Sequence, residues 1–174
     1  KNSTFTVGSI TKKEARRNPY PAFTTSTMQI ESSRKLGLSA SQTMRTAQRL
    51  YEGTDIKGET TGLITYMRTD SVVMSKEAIN QVRGFVTDNY GANYLPDAPR
   101  VYKSKAKNAQ EAHECIRPTN IYLTPKDIKQ YINLEEYKLY EIIWQRAVSS
   151  QMASAILDQV AVDITNEDKK IVLR

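Results

Sequence analysis

A tyrosine, an arginine and an aspartate occupy alternate positions of the run GLITYMRTDS at residues 62–71. In an extended backbone, side chains alternate between faces, so Tyr66, Arg68 and Asp70 project to one side and a single phosphate can meet both Tyr66 and Arg68. A phenol is a weak nucleophile near neutrality because its pKa is about 10. A fixed cation beside it favours the anion and neutralises charge that builds on the phosphorus oxygens during attack. Arginine suits that role, since its planar fork matches phosphate oxygens and keeps its proton. The chain has ten tyrosines, however, and the ordinary fate of a tyrosine is packing, with its hydroxyl satisfied by a neighbour. Spacing alone does not single out Tyr66.

The elements that must position this run can be read on both sides of it. Residues 3–10 alternate loosely as a strand, and Pro19 and Pro21 mark an extended passage. A first helix is predicted from Thr25 to Leu36, opened by hydroxyl residues and closed by Gly37. A second has capping-box spacing at Ser39 and Gln42, with Ala40, Met44, Ala47 and Tyr51 recurring at helical intervals and Gly53 at its end. Residues 54–61 read as polar turn material. A third helix is predicted from Ser75 to Tyr90, with Ile79, Val82 and Val86 on one side. Residues 91–110 hold two prolines and the cations Arg100, Lys103, Lys105 and Lys107 without helical periodicity, which reads as a mobile basic loop. Thr124, Pro125 and Asp127 open a helix near Ile128. The longest helix is expected over Leu134–Met152, with Tyr137, Tyr140, Trp144, Ala147 and Gln151 on one face. The alternation at Val160, Val162 and Ile164, a polar turn and Ile171–Leu173 together predict a β-hairpin.

Composition narrows the class. At 174 residues the chain can bury a core without disulfides or a structural metal. Its one cysteine, Cys115, cannot form an internal disulfide, and no Cys/His cluster has zinc spacing, so a reducing cytosolic setting is expected. No apolar run approaches a membrane span. The net charge of +6 suits a nucleic-acid partner and equally suits an ordinary basic surface. Lys1 at one end, and Arg174 directly after an apolar run at the other, give both ends the look of cuts in a longer chain.

GLITYMRTDS closely resembles the active-site segment of the type IA DNA topoisomerases, in which the tyrosine of the TYMRTDS run bonds covalently to a 5′ DNA phosphate. Two further segments are similar to the same family in the same order. Residues 20–53, YPAFTTSTMQIESSRKLGLSASQTMRTAQRLYEG, look like its helical lead-in. NAQEAHECIRPT at 108–119 resembles its Q-E-A-H-E-A-I-R-P segment, with Cys115 where alanine is common.

The resemblance implies a mainly α (α+β) fold: a helical, winged-helix-like domain over residues 23–150, with residues 1–22 and 151–174 as strands of an adjoining arch domain. It implies transient cleavage of one DNA strand through a 5′-phosphotyrosine, strand passage and rejoining, with relaxation of negative supercoils, in a cytoplasmic protein of the bacterial nucleoid. Tyr66 would attack, Arg68 would hold the scissile phosphate, and His113 would support the site by hydrogen bonding or proton exchange. Arg68, Asp70, Glu111 and Arg117 would contact DNA, chiefly single-stranded. Glu111 and Arg117 are equally suited to salt bridges that orient their segment, and Cys115 to a small buried position. Thr24–Thr27 suits either a helix cap or phosphate binding, and Arg45 and Arg49 either DNA or solvent. The family's Mg²⁺ is held by an acidic D-x-D-x-E cluster in a TOPRIM domain. This chain contains no D-x-D, so no metal site is assigned to it, and the piece by itself is expected to be inactive without the remaining domains. A non-enzymatic helical module that binds single-stranded DNA is the alternative.

Overall fold

The computed structural model describes residues 4–103, 114–166 and 172–173, which form two compact units: residues up to Asn18 with those from Ser154 onward, and Pro19–Ala153.

The first unit is a three-stranded antiparallel sheet in the order β1–β4–β5, made of β1 (Phe5–Arg17), β4 (Ala155–Asn166) and β5 (Val172–Leu173). The predicted hairpin is present as β4 and β5. The principal partner of β4 is nevertheless β1, from the other end of the chain, and β1 runs well beyond the predicted residue 10. A β-bulge between Val7 and Ser9 explains the loose alternation there. It pairs Val7 with Ile164 and Ile10 with Val162 on one face, while Ser9 joins Asp163 and Thr11 joins Ala161 on the other. The extra residue is Gly8, where an added Cβ would lie 3.1 Å from the Thr165 side chain.

The second unit is helical. Helix α1 (Thr25–Leu36) has the predicted bounds, with Thr24 as N-cap and Gly37 in the left-handed conformation at φ 70°. Helix α2 (Ala40–Glu52) has the predicted capping box between Ser39 and Gln42. Its inner face differs from the predicted one: Thr43, Thr46, Ala47 and Leu50 are buried, whereas Ala40 and Tyr51 are exposed. The threonines tolerate burial because each hydroxyl has a partner, the Ser39 carbonyl for Thr43 at 2.9 Å and the Glu135 carboxylate for Thr46.

Residues 54–61 are a β-hairpin, β2 (Thr54–Ile56) with β3 (Glu59–Thr61), rather than an irregular turn. Lys57 and Gly58 turn it with φ 57° and 89°, and the Asp55 carboxylate accepts the Gly58 N–H at 2.7 Å.

Helix α3 (Lys76–Tyr90) is capped by Ser75 and buries Ile79, Val82 and Val86 as predicted, together with Ala78 and Phe85. Helix α4 (Pro125–Ile128) opens on the Thr124–Asp127 box. Helix α5 (Leu134–Ser150) stops short of Met152, with Gln151 as its C-cap. Tyr140, Trp144 and Ala147 face inward as predicted, and Leu139, Ile142, Ile143 and Val148 widen the buried stripe. Tyr137 lies at its rim, donating its hydroxyl to Glu141 at 3.0 Å. The Tyr140 hydroxyl donates to the Leu123 carbonyl at 2.6 Å and the Trp144 indole N–H to that of Ile121 at 2.9 Å. These bonds fasten the 121–123 stretch to α5.

The segment read as a mobile basic loop is anchored over its first half. The Arg100 guanidinium donates to the Met152 carbonyl at 2.8 Å, and its backbone exchanges bonds with the Gln151 side chain at 3.1 and 3.0 Å. The Tyr102 hydroxyl lies 3.0 Å from the carbonyl oxygens of Pro19 and Ser150. Lys105 and Lys107 lie outside the described residues.

Candidate active site

Residues 62–73 cross the surface of the helical unit without forming a regular strand, yet their side chains alternate as an extended chain requires. Tyr66, Arg68 and Asp70 are exposed, and Met67, Thr69 and Ser71 are buried. Met67 has no solvent exposure, which ties the backbone of the run to the core. The buried hydroxyls are satisfied locally: Thr69 accepts the Ser71 N–H at 3.0 Å and Ser71 accepts the Val73 N–H at 3.1 Å.

Two neighbouring segments clamp this run. On one side the Thr25 hydroxyl donates to the carbonyls of Met67 and Thr69 at 2.8 and 3.0 Å and accepts the Thr69 N–H at 2.8 Å. The Thr25 N–H reaches the Thr69 carbonyl, also at 2.8 Å. The hydroxyls of the 24–27 stretch are thus occupied: Thr24 and Thr27 cap α1, and Thr25 fastens the tyrosine-bearing run.

On the other side runs the described tail of the histidine-containing segment. Thr65 donates its N–H to the Arg117 carbonyl at 2.9 Å and its hydroxyl to the Cys115 carbonyl at 2.7 Å. The Thr119 N–H donates to the Leu63 carbonyl at 3.1 Å, and the Cys115 and Ile116 N–H groups donate to Val73 and Phe23 at 2.9 and 2.8 Å. Residues 114–119 therefore lie beside Tyr66 in space although some fifty positions away in sequence. His113 and Glu111 lie outside the described residues.

Glu114, which sequence reasoning did not single out, locks this clamp. One carboxylate oxygen accepts the Ser75 N–H at 2.8 Å, and the other accepts Arg117 Nε at 2.9 Å and Nη2 at 2.5 Å. Arg117 also donates to the Pro118 carbonyl at 3.0 Å, so its guanidinium is committed within the segment. Burial works against the Glu114 charge, but the hydrogen bond from Ser75 and the Arg117 cation prevail and hold its pKa below the ordinary carboxylate range. This stabilisation is complete above the unfolded carboxylate pKa of about 4.3 and is lost as pH falls through the lower folded value. Glu114→Gln should therefore cost about 1–3 kcal/mol at neutral pH. Thermal melts of the chain from pH 7 to pH 3 should show a lower midpoint for the variant and a shallower fall on acidification. Parallel wild-type and variant curves would remove the carboxylate from the account.

Cys115 is fully buried, and burial pushes its thiol up to about 12, so it stays protonated at neutral pH and serves as a small packing residue.

Tyr66 is 40 % exposed, and its ring meets that of Tyr51 edge-on, with centroids 5.4 Å apart and planes at 65°. Arg68 opens onto a groove of about 330 Å³ that it shares with Met44, Arg45, Gln48 and Arg49 of α2. Arg49 is bound to Glu136 at 2.5 Å and Glu135 at 3.3 Å. The arrangement presents a phenol and a guanidinium side by side on a surface whose backbone is held from both flanks. That geometry suits attack on a phosphate by a fixed tyrosine. Among the described residues no three of His, Cys, Asp and Glu come together as a metal site, and no helix is long and apolar enough to cross a membrane.

The DNA topoisomerase family model matches residues 1–174. DNA topoisomerase 1 of Rickettsia felis is 53% identical over 170 residues, covering 98% of this chain and 22% of that protein. DNA topoisomerase 1 of Xylella fastidiosa strain 9a5c is 51% identical over 159 residues, covering 91% of this chain and 20% of that protein. The full-length topoisomerase I structure from Thermotoga maritima superposes with a TM-score of 0.80 at 36% identity, covering 95% of this chain and 26% of that one. The chain thus spans about a fifth of the length of the curated relatives it matches.

Proposed function

Because this chain belongs to the DNA topoisomerase family, we propose that it is the strand-cleaving part of a type IA enzyme that breaks and rejoins one strand of DNA to relax negative supercoils. In this reading the Tyr66 oxygen forms a bond to a backbone phosphorus, the bond from phosphorus to the 3′ oxygen breaks, and the proton lost by the phenol is balanced by the one gained by the departing 3′ hydroxyl. The phosphotyrosine ester conserves the bond, so the 3′ hydroxyl reverses the step without an external energy source. Arg68 holds the scissile phosphate and offsets charge on its oxygens. His113 supports the site by hydrogen bonding or proton exchange. Asp70 and Glu111 offer acceptors to the strand, and Arg117 acts from behind through Glu114.

The observation that supports this reading is the joint exposure of Tyr66 and Arg68 on one face of a run whose alternate residues are buried. The Mg²⁺ that the family implies is assigned to a TOPRIM domain elsewhere in the longer protein, and the described residues provide no cluster to hold it. Chiefly single-stranded DNA and the remaining domains of the same polypeptide are the partners, in a cytoplasmic protein at the bacterial nucleoid.

The test is to incubate the full-length protein with a labelled single-stranded oligonucleotide, denature the mixture and map the nucleotide-bearing peptide by mass spectrometry. The expected adduct lies on Tyr66. An adduct on another residue would refute the assignment. Oligonucleotide binding with no adduct at all would leave a non-enzymatic single-stranded DNA-binding module.

A further inference from the structure

Helix α2 carries a line of half-buried to exposed residues beside Arg68. Met44, Gln48 and Tyr51 follow one another at i, i+4 and i+7, so they share a side of the helix, and Arg45 and Arg49 flank that line. Met44, Arg45, Gln48 and Arg49 form the α2 wall of the groove, Arg68 closes it from the tyrosine-bearing run, and Tyr51 carries the line on to the ring of Tyr66. The groove and the exposed phenol are therefore parts of one continuous surface.

The three cations in the groove are not equivalent. Arg49 is tied to both Glu135 and Glu136, which offset its charge. Arg45 and Arg68 are exposed and form no side-chain hydrogen bond or salt bridge among the described residues, and Glu135, already bound by Arg49, acts on Arg45 only through its charge at longer range. Two guanidinium groups facing one groove repel each other, and the arrangement becomes favourable when an anion lies between them. The occupant must also tolerate the apolar side chain of Met44. A nucleotide strand meets both requirements, with phosphates for the arginines and sugar carbons for the methionine.

We infer that this groove is a phosphate subsite for the cleaved strand, in which Arg45 takes a backbone phosphate neighbouring the one held by Arg68, so that the strand is laid along α2 towards Tyr66. The inference rests on the reading of Tyr66 and Arg68 given above and extends it to a residue outside the TYMRTDS run. Arg45 is a binding residue: it contacts the strand beside the reacting atoms, and its contribution is to affinity and register.

The test uses the full-length protein and a fluorescein-labelled single-stranded oligonucleotide, with binding followed by anisotropy over a series of KCl concentrations. Each phosphate neutralised on a single strand contributes about 0.7 to the slope of log K against log salt. Arg45→Gln should reduce the slope by about 0.7 and weaken binding at low salt. Arg45→Lys should restore the slope, because a lysine still displaces a counterion. Arg34→Gln, which removes the same charge outside the groove, should leave it unchanged. An unchanged slope in Arg45→Gln, an equal loss in Arg34→Gln, or failure of lysine to restore it would each overturn the subsite. These outcomes are separable from failure of the underlying reading. If the adduct maps to Tyr66 while the Arg45 slope is unchanged, only the subsite is lost, and if the adduct maps elsewhere, the reading of the tyrosine falls independently of the salt series.

Discussion

Tyr66→Phe in the full-length protein should reduce the covalent protein–DNA adduct to background while changing single-stranded DNA affinity by no more than about twofold and leaving the fold intact. The substitution removes one oxygen and keeps the ring. That ring is partly exposed and packs edge-on against Tyr51, a contact that phenylalanine can make equally well. The backbone on either side is held by Thr65 to residues 115–117 and by Thr25 to residues 67–69, and none of these bonds involves the Tyr66 side chain. Loss of the adduct would therefore report loss of the nucleophile rather than collapse of the site. No neighbour within the run is placed to take over, since Thr65 donates its hydroxyl to a carbonyl and Thr69 is buried and occupied. Denaturing gels of the labelled oligonucleotide provide the measurement. Protein-linked DNA at wild-type yield in the phenylalanine variant would mean that another residue attacks.

Replacement of Arg68 is expected to have the next largest effect. Arg68→Ala should slow single-turnover cleavage at saturating DNA by about 10²–10³, the range observed when one preorganised donor to a developing charge is removed. Arg68→Lys should recover only part of this, because an ammonium keeps the charge but cannot reproduce two parallel hydrogen bonds to one phosphate. Saturating DNA matters here, since Arg68 also lines the groove beside α2, and its loss should weaken binding as well. A rate unchanged by alanine at saturation would reduce Arg68 to a contributor to affinity. Recovery of the full rate by lysine would show that charge alone suffices and that the planar fork has no special part.

Much of the helical unit was legible because its signals are local. The bounds of α1, the capping box of α2, the Ser75 cap of α3 and the Thr124–Asp127 box follow from side chains that hydrogen-bond within one turn, so neighbouring residues carry the information. The alternation that exposes Tyr66, Arg68 and Asp70 is local in the same sense, being a property of any extended backbone. The β2–β3 hairpin was missed because Lys57–Gly58 lacks the strong Asn-Gly or Asp-Gly turn signature and the flanking residues are mostly polar.

Other features depend on partners distant in sequence. The buried face of α2 could not be assigned from hydrophobicity, because Thr46 is buried only where Glu135, 89 positions away, accepts its hydroxyl. Arg100 looked like a loop cation until Gln151 and Met152 supplied its partners. The pairing of β1 with β4 joins the two ends of the chain, and no short-range pattern encodes that register. The sequence thus carried the alternation that sets Tyr66, Arg68 and Asp70 on one face, and the resemblance of the run to a known family pointed to Tyr66 among the ten tyrosines. Tertiary structure decided what holds them and what lies beside them: Glu114 locking Arg117 and Ser75 behind the run, and Arg45 brought by α2 to the groove of Arg68. The physical reason is that alternation and capping arise from bonds within a few residues, whereas a clamp or a groove exists only where separate segments of the folded chain meet.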